Sequence, residues 1–155
     1  MRTEDYNDDN LEKLIKALKP QTLPVGKIGV LGKKNQRSGE GESTNAEIGA
    51  KHELGLDGMP KRSWLRVPLI DNLEKYLKEA GAFSPQVVKQ IIKLGSFKPF
   101  MEKAMIVCER IVADGFNSGG FGKWKPSDMT KKKVHLTLVE TQQLRNSVTS
   151  EVQNG

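Results

Sequence analysis

Apolar positions along this chain recur mostly at helical spacing and only rarely alternate. In "NLEKLIKALKP", Leu11, Leu14, Ile15 and Leu18 share one helical face, Asn10 is placed to cap its start, and Pro20 lies just past its end. "VGKIGVLG" then carries Val25, Ile28, Val30 and Leu31, which predicts a short strand starting near Lys27. Residues 33–44, "KKNQRSGEGEST", contain no apolar side chain and predict a loop. It ends in a capping box, Thr44 with Glu47. A helix follows to about Leu54, with Ala46, Ala50 and Leu54 as its stripe and Gly55 as a left-handed stop.

Residues 59–66 read as extended chain entering a helix whose first turn holds Pro68. Leu69, Leu73, Leu77 and Ala80 form its stripe, and Gly81 ends it. Ser84 and Pro85 open a shorter helix with Val87, Val88, Ile91 and Ile92 as its apolar face, closed by Gly95. Residues 96–99 start the most strongly patterned helix. Phe100, Met101, Ala104, Met105, Val107, Cys108, Ile111 and Val112 keep one face, which predicts the central core helix with Cys108 as a buried small hydrophobe. Residues 117–133 form a second polar loop; Phe116 just before it and Phe121 and Trp124 within it read as exposed apolar side chains. "VHLTLVE" alternates as a strand, "TQQLRNS" fits one helical turn capped by Thr141, and "SVTSEVQ" reads as a final strand. Strands at the two ends with helices between them predict an α+β fold: a small, mostly antiparallel sheet with helices packed on one face and long polar loops. Residues 1–9 read as a flexible terminus and 10–155 as a single domain.

Composition narrows the classes. Of 155 residues, 36% are hydrophobic and 28% charged, polar for a chain long enough to bury a core. The single cysteine, Cys108, cannot form an intrachain disulfide. No apolar run approaches the roughly 18 residues of a membrane span, so no membrane partner is expected. The opening "MRTEDYNDDN" lacks the apolar segment of a secretory signal. A formal net charge of +6 permits contact with nucleic acid or another acidic surface without requiring it.

Candidate chemistry is sparse. His52 and Glu53 match the start of a zinc-peptidase motif, but Leu56 stands where the second histidine belongs. No Gly-x-Ser-x-Gly elbow is present, and "GGFGKWK" lacks phosphate-loop spacing. We therefore expect no catalytic residue, no cofactor and no metal. Lys123, Lys125, Lys131, Lys132 and Lys133 cluster around Trp124, a pattern compatible with a stand-alone basic nucleic-acid-binding module or with a solvated loop.

Four segments, in order, resemble the phage virion-morphogenesis family: Mu-like tail-completion or head–tail joining proteins, with related neck and tail-terminator proteins. The first is "KIGVLG" before a polar loop. The second is "NAEIGAKHELG", with Glu53, Leu54 and Gly55 matching the family's acidic–apolar–glycine helix end, running into Pro60, Arg62, Trp64, Leu65 and Arg66. The third is "GKWKPSDMTKKK", and the fourth "LVETQQLRNSVTSEV", whose Thr141, Leu144, Arg145 and Ser147 match. Glu140 stands where the family usually has Asp, and Gln142 where it usually has Gly.

The resemblance implies a structural, non-enzymatic protein of the virion neck or head–tail junction, made in the bacterial host cytoplasm. It implies phage tail-tube and head-connector proteins as partners, a hexameric ring in the particle, a monomer before assembly, and passing contact with DNA. It also makes "KHELG" a structural helix end. Phe121, Trp124 and Pro126 are then candidates to anchor their loop or touch a neighbour.

Overall fold

A computed structural model describes residues 8–19, 23–36, 43–125 and 142–154. The fold is α+β. Helices α1 (Asp8–Ala17), α2 (Asn45–Leu54), α3 (Arg66–Glu79), α4 (Pro85–Leu94), α5 (Lys98–Asn117) and α6 (Gln143–Ser147) accompany strands β1 (Val25–Val30) and β2 (Val148–Gln153). The strands pair antiparallel from Val25↔Gln153 to Val30↔Val148. A two-stranded ribbon is marginal alone; here α5 lies against both strands. Glu109 of α5 accepts the Ser150 backbone N–H at 2.7 Å, which ties helix to ribbon.

α5 is the central helix its pattern predicts. Ala104, Val107, Cys108, Ile111 and Val112 are buried along it. Leu77 of α3 joins Ala104, Val107 and Ile111, with Leu69, Leu73 and Ala80 packed around them. Val87 and Ile91 of α4 pack with Leu14 and Ala17 of α1 and with Phe97 and Phe100. Gly95 caps α4 in the left-handed conformation, and Thr44 with Glu47 forms the expected box at the start of α2.

Several expectations are corrected. α1 begins at Asp8, so Asn10 lies inside the helix and does not cap it. Leu11, Ile15 and Leu18 are exposed because α4 covers only the Leu14–Ala17 side. On α2, Ala50 and Leu54 point outward, and the buried positions are Asn45 and Gly49. That face approaches its neighbours too closely for large side chains. Of α4's expected apolar face, Val87 and Ile91 are buried but Val88 is exposed. Phe116, expected to be exposed, is fully buried, because α5 extends one turn further than its apolar run suggests. Gly32–Asn35 forms a 3₁₀ turn that overlaps the start of the expected first loop. Gln142, one position after the cap expected at Thr141, precedes α6 with φ 51 and no side-chain cap. Thr141 and the expected strand over 134–139 lie outside the described residues.

Candidate functional site

The residues of the sequence motifs converge where α2 ends, α3 begins and α5 ends. α2 stops at Gly55, whose φ of 74 lets the chain turn back without a Cβ penalty. The chain then returns along α2, and the Arg62 N–H donates to the His52 carbonyl at 2.7 Å.

This return places Glu53 beneath the start of α3. A helix begins with backbone N–H groups that have no intrahelical acceptor. Leu65, at the cap position of α3, offers no side-chain acceptor. Glu53 supplies one from another helix. Its Oε2 accepts the backbone N–H groups of Trp64 at 2.9 Å and Leu65 at 3.0 Å. Its Oε1 accepts the Ser63 hydroxyl at 2.5 Å and the Arg66 N–H at 3.3 Å. Ser63 Oγ in turn accepts the Val67 N–H at 3.0 Å. The carboxylate sits at the positive end of the α3 dipole, where negative charge is favoured. The exposed Arg66 guanidinium lies 3.9 Å away.

Trp64 fills the space between α2 and α5. Its Nε1–H donates to the Gly49 carbonyl at 2.8 Å. A Cβ on Gly49 would lie 2.9 Å from Trp64 Cζ2 and 3.2 Å from Leu144 Cδ1, so this helical glycine marks a close approach. Phe116 is held between two indoles, with centroids 5.8 Å from Trp64 and 5.7 Å from Trp124. Leu144 closes the cluster, and Ser147 Oγ donates to the Leu144 carbonyl at 2.6 Å.

The turns after α5 are fastened to the same place. Trp124 Nε1–H donates to the Ser63 carbonyl at 3.0 Å. Its ring lies over Gly120, whose φ of 69 and absent Cβ permit the contact. Phe121 packs edge-on to Tyr76, centroids 6.5 Å apart. Lys123 Nζ pairs with Asp71 at 2.5 Å. Arg62, 7% exposed, donates from Nε and Nη2 to the Lys125 carbonyl, both at 3.4 Å. Burial lowers its pKa.

Glu53, Gly55, Arg62, Ser63, Trp64, Leu65, Leu144 and Ser147 thus belong to one junction with Phe121 and Trp124 beside it. Pro60 is exposed and Arg145 half-buried. Of the basic cluster, Lys123 is paired and Lys125 exposed, while Lys131, Lys132 and Lys133, like Pro126, lie outside the described residues.

In comparisons with protein-family models, curated proteins and solved structures, nothing matches this chain.

What the junction can do follows from its residues. Glu53 already accepts from four protein donors, so it has little capacity left to take a proton from a substrate. The Cys108 thiol is buried, and burial first, then Glu109, pushes its pKa up, so it stays protonated. Among the described residues no group of three or more His, Cys, Asp or Glu side chains is placed to hold a metal ion. A concavity of about 530 Å³ is lined by Lys33, Lys34, Asn45, Gln143, Asn146 and Ser147, and the Ser147 hydroxyl in it donates to the Leu144 carbonyl. Gly49, Phe116 and Ser63 are junction residues that the pattern did not single out. Gly49 did carry a signal, because a glycine inside a helix costs about 1 kcal/mol against alanine and so points to close packing.

Proposed function

We propose that this chain is a structural protein of phage virion assembly, acting at the head–tail junction by ring-type self-association and protein–protein contact. The observation that carries the reading is the junction itself. Glu53, Arg62 and Trp64 come from one segment of the family resemblance and Leu144 from another far along the chain. They meet in one place, and every polar group among them holds backbone. Such a knot fits a rigid ring subunit, which must present fixed patches to its neighbours.

The nucleic-acid module is the weaker reading. Trp124, the aromatic expected to stack on bases, is turned inward against Phe116, and Lys123 is neutralised by Asp71.

The test is cosedimentation of the purified chain with tails and with heads isolated from particles that lack it. The reading predicts that it pellets with one of them and restores joining. Binding to neither, together with duplex binding that weakens steeply as salt rises, would favour the module instead.

A further inference from the structure

α1 carries two apolar lines, and α4 covers only one. Leu14 and Ala17 pack with Val87 and Ile91. Leu11, Ile15 and Leu18 are 54%, 53% and 49% exposed. Leu18 stays on the helical line, because its N–H donates to the Leu14 carbonyl at 3.1 Å. Single exposed apolar side chains are ordinary on a protein surface. These three are aligned. They follow one another by four residues and then by three, the 3.5-residue repeat that keeps a seam facing a second helix. The charges along α1 select that second helix. Glu12 follows Leu11 and Lys19 follows Leu18, so both flank the seam on the same side, one near each end. Asp9 adds to the acidic end and Lys16 to the basic end. A copy of α1 laid antiparallel on the first sets Glu12 of each chain beside Lys19 of the other, with the apolar stripes face to face. A parallel copy would set like charges level with one another. The helix is therefore complementary to itself about a two-fold axis, as an isologous contact requires.

We propose that α1 is a self-association surface: two copies of this chain pair antiparallel through Leu11, Ile15 and Leu18, and Glu12 with Lys19 sets the orientation. The inference goes beyond the assembly reading and does not rest on it. A ring closes through head-to-tail contacts between two different patches, whereas this contact uses one patch twice. It joins free chains in place of the monomer that the resemblance implies. The seam spans only about two helical turns, so the dimer is weak and its population depends on chain concentration.

The test is sedimentation equilibrium of the full chain over a concentration series reaching the millimolar range. The proposal predicts a monomer–dimer equilibrium that weakens as sodium chloride rises, because salt screens the exposed ion pairs. A chain that stays monomeric throughout overturns it and leaves the stripe to a different partner. Association that strengthens with salt also overturns it, in favour of a parallel contact. Ile15→Asp, at a half-exposed position, should keep the wild-type melting temperature and lose the dimer. A dimer that survives this change overturns the seam. Glu12→Lys and Lys19→Glu should each raise the dissociation constant about tenfold, since two exposed pairs turn from attraction to repulsion. An equimolar mixture of these two variants should restore association, because each chain then meets opposite charge at both ends. A mixture that associates no better than either variant alone overturns the antiparallel pairing. Failure of these tests leaves the assembly reading standing, whereas particles that join without the chain remove that reading and leave the dimer.

Discussion

Glu53, near the end of α2, caps a helix to which it does not belong: its carboxylate accepts the Trp64 and Leu65 N–H groups at 2.9 and 3.0 Å where α3 begins. One side chain thereby ties the end of α2 to the start of α3. Glu53→Ala strands these donors at a part-buried helix end. It should cost about 3 kcal/mol, more than an ordinary cap, because the lost bonds are charge-assisted. Glu53→Gln keeps one acceptor oxygen and should cost about half as much. Urea denaturation with an unchanged slope checks both.

Gly49→Ala sets two effects against each other. Alanine gains about 1 kcal/mol in helix propensity. The added Cβ, however, would lie 2.9 Å from the Trp64 ring and 3.2 Å from Leu144, and overpacking costs about 1–3 kcal/mol. The ring is wedged against Phe116, so we expect net destabilisation of about 1 kcal/mol, read as a lower melting temperature.

Trp124→Ala removes an indole that packs on Phe116 and donates to the Ser63 carbonyl. Full truncation of a core tryptophan costs about 3–5 kcal/mol, and this ring is only partly buried, so about 2–3 kcal/mol is expected. Anchoring predicts a lower melting temperature with assembly intact at permissive temperature. Loss of assembly at unchanged stability would assign the indole to a neighbour.

Tyr76 gives an alkaline limit. Burial first, then its hydrogen bond to Asp114, raises the phenol above its ordinary pKa of 10.0. The protonated phenol is therefore favoured in the folded state. Its contribution is fully present below pH 10 and is lost as pH rises through the raised value. Tyr76→Phe should flatten the fall in stability above pH 10, measured by denaturation at a series of alkaline pH values.

The helical part of the fold was legible because α3, α4 and α5 each bury a stripe that repeats every turn, with Gly or Pro marking their limits. The junction was legible only as a motif. Glu53 and Trp64 could be named, but nothing local says that a carboxylate in one helix caps another. α2 misled because its inward face is Asn45 and Gly49, chosen for close approach and not for hydrophobicity. Phe116 misled because it lies beyond the apolar run that ends at Val112 and just before the polar stretch that starts at Asn117. Gln142 hid a left-handed turn: φ is 51 where the resembled family usually has glycine. Gln142→Gly should therefore raise stability by up to about 1 kcal/mol, since relief of a strained conformation exceeds the added unfolded-state entropy.

The most direct measurement is electron microscopy of particles made with and without this chain in the phage or prophage that the proposed function implies. The account predicts that without it heads and tails stay separate, or that tails lose length control. Unjoined heads beside tails of normal length would assign head completion, and overlong tails would assign termination. Intact, infectious particles would contradict the account.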